Sequence, residues 1–283
     1  MFPASDPAYR VSFPRLRSGL KVRVVETGDF SAPPVLFVPG WGCPVYVFRR
    51  NLPAIAAAGF RAIAVDLKGH GLSDKPLGEA GYNVDALVDH IADILAALEL
   101  DNPALVGHSM GATLLYHYLS RTRGNARALG LLSPVGLSGV PLMWLYRLLT
   151  PRFAAPVIRR VRPRFVITVT LRRVYGKRGH FNEEDVDQYW AQTRFPEYGL
   201  AMLDLLHAYD WNAAEHRELE PVAIPAVGLW GSHDHLMPRD GMDAYKRLVP
   251  GIALHEIVGA GHIIPEETPQ DVNGALIALL RGR

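Results

Sequence analysis

Short apolar runs recur along this chain, mostly separated by helical patterns, and no other feature narrows its possible folds so far. Pro34–Val38, Arg61–Val65, Ala104–Val106, Ala128–Leu132, Ala226–Trp230 and Ala253–Val258 are largely aliphatic and do not alternate strictly. A strand wetted on one face alternates, whereas a strand covered on both faces reads as a continuous run, so these segments predict parallel strands between helical layers. Ahead of them, Tyr9–Leu16 and Leu20–Glu26 do alternate and meet through Ser18-Gly19, which predicts an antiparallel hairpin. The expected fold class is α/β: a mostly parallel twisted sheet of about eight strands with helices on both faces.

The rhythm breaks once. Between Val135 and Pro221 the strand-like runs stop, and helical or irregular sequence takes over, including Asn182–Gln192 and Pro196–Tyr209. This predicts a core domain of residues 1–134 and 222–283 with a helical cap inserted over 135–221. The clearest core helix is Val84–Leu98, whose Val84, Leu87, Val88, Ile91, Ile94, Leu95 and Leu98 form one stripe, with Asn83 placed to cap it. The uncharged stretch Ala128–Tyr146 is 19 residues, nominally enough to cross a bilayer. Gly130, Pro134, Gly136, Gly139 and Pro141 interrupt it, so it reads as a buried strand running into a loop.

Composition excludes little but agrees. With 49% hydrophobic and 20% charged residues the chain is neither disordered nor fibrous. A net charge of +2 gives no general attraction for nucleic acid. The single cysteine, Cys43, allows no intrachain disulfide, and Met1–Pro7 lacks the basic and apolar segments of a secretory signal, so the expected compartment is the cytoplasm. Nothing in these patterns reports on oligomeric state.

The strongest chemical signal is Gly107-His108-Ser109-Met110-Gly111, a G-x-S-x-G placed after the apolar run Ala104–Val106 and before the helical Ala112–Ser120. A strand, a very tight turn and a helix are what a nucleophilic serine needs to stand above a sheet, and the flanking glycines leave room for the turn. A serine hydroxyl is weakly nucleophilic near neutral pH and needs a base and a group that orients the base. Asp234 lies just past Ala226–Trp230 and His262 just past Ala253–Val258. Both therefore belong on the rim where Ser109 emerges, at the carboxyl ends of the strands. The rim after Ala128–Leu132 offers Ser133-Pro134-Val135-Gly136, with no carboxylate to rival Asp234. Most of the 11 histidines have an ordinary structural reading: His108 points away from the turn, and His70 sits in a turn of its own. His233 and His235 flank Asp234 but have no third ligand at a recognisable spacing, so no metal is expected. No cofactor is expected either.

These motifs together resemble the α/β-hydrolase superfamily, over nearly the whole chain. Val38-Pro39-Gly40-Trp41-Gly42 looks like its oxyanion loop, Asp66-Leu67-Lys68-Gly69-His70-Gly71-Leu72-Ser73 like the turn after its next strand, and Gly261-His262 through Glu267 and Pro269 like its histidine loop. Pro39 departs from the pattern, because many members carry a histidine before the glycine. The resemblance implies a triad of Ser109, Asp234 and His262, with oxyanion donors from the backbone N–H of Trp41 and Met110. Relatives that open epoxides or remove halides use an aspartate at the position of Ser109, so it disfavours both reactions. With the triad complete, Cys43 reads as a small apolar residue.

The expected substrate follows from the cap, whose large apolar residues Trp144, Tyr146, Phe153, Tyr189, Trp190, Met202, Leu205, Leu206 and Trp211 include the candidates for an acyl pocket, with Trp144, Trp190 and Trp211 singled out for substrate contact. The leading expectation is a serine hydrolase of carboxylic esters, carboxylesterase- or lipase-like, acting on a mostly apolar small molecule. A carbon–carbon bond hydrolase or acyltransferase with the same triad, and a ligand receptor that retains it, are the alternatives. From Arg147 to Arg178 there are ten Lys or Arg and no Asp or Glu. Such a run ordinarily marks a solvated face, and the sharper reading is contact with anionic lipid or an acidic substrate.

Overall fold

A computed structural model of the chain describes residues 1–141, 143–237 and 241–282. Eight strands form one sheet in the order β1-β2-β4-β3-β5-β6-β7-β8. They are β1 (Arg10–Ser12), β2 (Val24–Thr27), β3 (Pro34–Val38), β4 (Arg61–Val65), β5 (Ala104–His108), β6 (Ala128–Leu132), β7 (Ala226–Gly231) and β8 (Ala253–Ile257). β1 and β2 pair antiparallel as the hairpin, β2 runs antiparallel to β4, and the remaining pairs are parallel. β5 and β6 are buried at every residue, which is why their sequences show no alternation.

Helices cover both faces. On one side lie α1 (Leu52–Ala57) and, at the end of the chain, the short α11 (Ile264–Glu267) and α12 (Pro269–Leu280). On the other lie α2 (Val84–Ala97), α3 (Met110–Thr122) and α10 (Gly241–Leu248). In α2 the stripe from Val84 to Leu95 is buried against the sheet, and the Asn83 side chain accepts from the Ala86 amide at 2.8 Å, capping the helix. Burying each Leu or Ile of such a stripe is worth about 1.5–3 kcal/mol, against about 1 kcal/mol for a typical capping bond.

Between β6 and β7 the chain leaves the sheet and forms α4 (Met143–Leu149), α5 (Ala155–Arg160), α6 (Arg164–Val174), α7 (Glu183–Thr193), α8 (Pro196–Ala208) and α9 (Ala213–His216). α7 opens with a capping box, in which Asn182 and Asp185 each bond the other's backbone amide. No described helix is long and apolar enough to cross a membrane; the uncharged stretch becomes β6, a loop and the start of α4.

Candidate active site

Strand register brings distant residues to one rim. In the β3·β5 pair Val38 lies opposite Gly107, and the chain leaves both strands at once, toward Pro39–Trp41 and Ser109. In the β7·β8 pair Gly231 lies opposite Ile257, and Asp234 and His262 follow in the next loops. Ser109 joins β5 to α3 with φ 55° and ψ −125°, a conformation a non-glycine residue holds only when its surroundings enforce it. Two close approaches require glycine here. A Cβ on Gly107 would stand 2.3 Å from the Cα of Ala112, and one on Gly40 would stand 2.6 Å from the Cβ of Ser109.

The three expected side chains meet. His262 Nε2 is 2.8 Å from Ser109 Oγ, and Nδ1 is 2.8 Å from Asp234 Oδ2. The other carboxylate oxygen of Asp234 accepts from the amides of Leu236 at 2.8 Å and Met237 at 3.1 Å. Burial opposes the Asp234 charge, but the adjacent His262 and the two amides outweigh it and hold the carboxyl below its usual range. An ionised Asp234 fixes the proton on Nδ1, so the Nε2 lone pair faces Ser109, as a general base requires.

The histidine loop is held from two further sides. His108 Nε2 donates to the His262 carbonyl at 3.0 Å. Burial, and then the nearby His262, push the His108 ring down to about 3, so it stays neutral. From the inserted segment, the Val174 carbonyl accepts from the His262 amide at 2.7 Å. The Glu267 carboxylate accepts the amides of Gly176, Arg178, Gly179 and Gly261, tying that segment to the loop. Glu266, the nearest other acid in sequence, is fully engaged elsewhere: it accepts from Tyr175 and Tyr189 at 2.6 Å each and pairs with Arg49 at 2.9 Å.

Trp41 lines the same cavity as Ser109, and Met110 follows Ser109 directly in the chain. The Met110 amide opens α3, where the first N–H groups have no partner within the helix. The Trp41 amide bonds to no described residue. The loop lacks a histidine at Pro39 and draws support from elsewhere. The Gly42 amide donates to His70 Nε2 at 3.0 Å, while the Gly42 carbonyl accepts from Gln192 Nε2 at 2.6 Å. Gln192, buried in α7, also accepts the Gly71 amide at 2.9 Å. From sequence His70 reads as an ordinary turn residue, and nothing beside Gln192 marks it as a partner of this loop.

A cavity of ≈ 450 Å³ opens above Ser109 and His262. Its walls are chiefly apolar side chains, including Ile167, Leu171 and Val174 of α6, Ile158 of α5, and Tyr198 and Met202 of α8. Cys43 also lines it, and burial first, then Glu266, push its thiol up to about 12, so it is not a thiolate nucleophile. The expected tryptophan contacts need correcting, because none of Trp144, Trp190 or Trp211 lines the cavity. Trp144 is 65% exposed on the outside of α4. Trp190 donates to the Arg162 carbonyl, and buried Trp211 packs on Tyr209 and Trp41 while donating to the Leu206 carbonyl. Their indole N–H groups are committed to backbone carbonyls. Among the described residues no group of three or more His, Cys, Asp or Glu is arranged to hold a metal ion.

A sheet of this order, with a Ser–His–Asp relay on its carboxyl rim, defines a class, and comparison with known proteins agrees. A family model described as alpha/beta hydrolase fold matches residues 33–269. The chain belongs to that family, and at this coarse level it is an α/β hydrolase. It is 27% identical over 278 residues to the AB hydrolase superfamily protein YfhM of Bacillus subtilis (strain 168), covering 94% of this chain and 96% of that one. It is 22% identical to Epoxide hydrolase A of Mycobacterium tuberculosis (strain ATCC 25618 / H37Rv), over 94% of this chain and 95% of that one. Among solved structures, a thermophilic esterase from Thermogutta terrifontis superposes with a TM-score of 0.78 at 24% identity, covering 96% of this chain and 98% of that one, a likeness of fold.

Proposed function

We propose that this chain hydrolyses carboxylic esters of mostly apolar acids through an acyl-enzyme on Ser109. The observation that carries the reading is the relay from Ser109 through His262 to Asp234, at 2.8 Å in each step, on the floor of an apolar cavity. His262 takes the Ser109 proton as the oxygen attacks the ester carbonyl, and Asp234 stabilises the imidazolium that forms. The negative charge that develops on the carbonyl oxygen is met by the Trp41 and Met110 amides; losing one such donor costs about 100 to 1,000-fold in rate. His262 then protonates the departing alkoxide, and water, activated by the same imidazole, attacks the acyl-enzyme to release the acid and restore Ser109.

Epoxide opening is the activity in the names of several relatives, and the chemistry of Ser109 argues against it here. A carboxylate that opens an epoxide leaves an ester, which water can cleave. A serine oxygen would leave an ether, which the same machinery cannot. The test is turnover of p-nitrophenyl esters of increasing chain length beside a simple aryl epoxide. Ester turnover that vanishes in Ser109→Ala, with no diol formed from the epoxide, supports the proposal. Diol formation without ester turnover contradicts it.

A further inference from the structure

The basic run beyond Arg147 is not simply a solvated face. Nine of the fifteen exposed large hydrophobic side chains among the described residues lie between Trp144 and Val169. Phe153 is 86% exposed, Leu149 69% and Phe165 67%. Single exposed hydrophobics are ordinary, whereas a concentration of this kind marks a contact surface. α6 shows how the surface arises. Ile167, Leu171 and Val174 face the cavity, while Phe165, Val169 and Arg172, spaced i, i+4 and i+7, are exposed on another side. A helix apolar on both sides is one whose outer side also finds cover. α4 lies beside it, with Tyr146 under the Arg173 guanidinium at 5.5 Å, and α4 exposes Trp144 and Leu148 in the same way. Val161 and Val166 are exposed and also line the cavity, so the cavity opens onto this surface.

Charge selects the occupant. Arg152, Arg164 and Arg178 are paired with Glu79, with Glu183 and Asp187, and with Asp271. Arg159, Arg160 and Arg172 are exposed and have no carboxylate partner among the described residues. Apolar side chains interspersed with uncompensated cations match the headgroup and upper acyl layer of an anionic bilayer. A second copy of the same surface would set cations against cations. Nucleic acid would leave Phe153 and Leu149 unused.

We infer that the outer surface of α4, α5 and α6 docks on anionic lipid, so that the cavity takes amphiphilic esters from the bilayer. The substrate class in this inference rests on the esterase reading; the docking does not. The test is cosedimentation of the full chain with vesicles of phosphatidylcholine containing phosphatidylglycerol, and with phosphatidylcholine alone. Binding to the anionic vesicles that weakens with salt is expected. Each arginine at such a surface is worth about fivefold, so Arg159→Gln/Arg160→Gln/Arg172→Gln lowers partitioning on the order of 100-fold. Phe153→Ser/Phe165→Ser lowers it at least about tenfold. Both variants keep wild-type turnover of a short soluble ester, which also shows that they fold, and lose turnover of a long-chain ester carried in the vesicles. No wild-type binding at low salt, or equal binding by both variants, overturns the docking. So does self-association at working concentration that the serine variant abolishes. Vesicle binding without any ester turnover leaves the docking standing and removes the esterase reading instead.

Discussion

Replacing Gln192 with leucine tests whether α7 governs the loop that carries Trp41. The substitution nearly conserves volume and removes two hydrogen bonds. The buried Gly71 amide loses the acceptor that holds it at 2.9 Å, which costs about 1–3 kcal/mol for an orphaned buried donor. The Gly42 carbonyl loses its 2.6 Å bond but keeps the Tyr198 hydroxyl at 3.4 Å, so the loss there is about 0.5–1.5 kcal/mol. Stability should therefore fall by about 1.5–4.5 kcal/mol, read as a lower urea midpoint. The Trp41 amide precedes Gly42, so a loop released at Gly42 misplaces one of the two proposed oxyanion donors. Loss of the donor outright costs about 100 to 1,000-fold, and partial misplacement should lower kcat by about 10 to 100-fold with little change in KM. A leucine variant that is destabilised yet keeps kcat within about twofold of wild type would refute the coupling between α7 and the oxyanion loop.

Three other outcomes follow from the geometry. Asp234→Asn should lower kcat on the order of 10⁴-fold, because the amide no longer enforces the Nδ1 proton; a loss below about tenfold would move the acid elsewhere. Arg49→Met leaves Asp185 and Glu266 buried without their shared cation and should cost about 3–5 kcal/mol in urea unfolding, with wild-type stability the contrary result. Burial holds the rings of His70 and His117 down to about 4 and of His90 and His108 down to about 3, so all four are neutral in the fold. Their unfolded pKa is about 6.5, so the stability they contribute is complete above that value. It is lost as pH falls toward 4 and then 3, because the unfolded chain takes up protons that the fold refuses. Urea midpoints should drop steeply between neutral pH and pH about 5; equal midpoints would contradict the assignment.

Much of the core was legible because burial on both faces leaves a plain mark. The runs Pro34–Val38, Arg61–Val65 and Ala128–Leu132 are strands with those bounds. Ser109, Asp234 and His262 were readable for a related reason: each lies within a few residues of a strand's carboxyl end, and parallel strands deliver those ends to one rim. The pocket was less legible. Large aromatic side chains suggest substrate contact, but nothing local says that Trp211 turns toward Tyr209 or that Trp144 faces outward. The true wall, Val166-Ile167 with Thr170-Leu171 and Val174, carries a helical stripe, yet its β-branched residues and flanking arginines hid it among charge. Gln192 had no local signature at all, since its partner Gly42 lies 150 residues away in sequence.

The central claim is that Ser109 is the nucleophile, and covalent labelling tests it most directly. The chain is treated with a fluorophosphonate, digested, and the adduct located by peptide mass. The account predicts a single phosphonyl group on the peptide that carries Ser109, loss of ester turnover in proportion to labelling, and no adduct on Ser109→Ala. Equal labelling of the alanine variant, or full ester turnover by a chain completely labelled at Ser109, would contradict it.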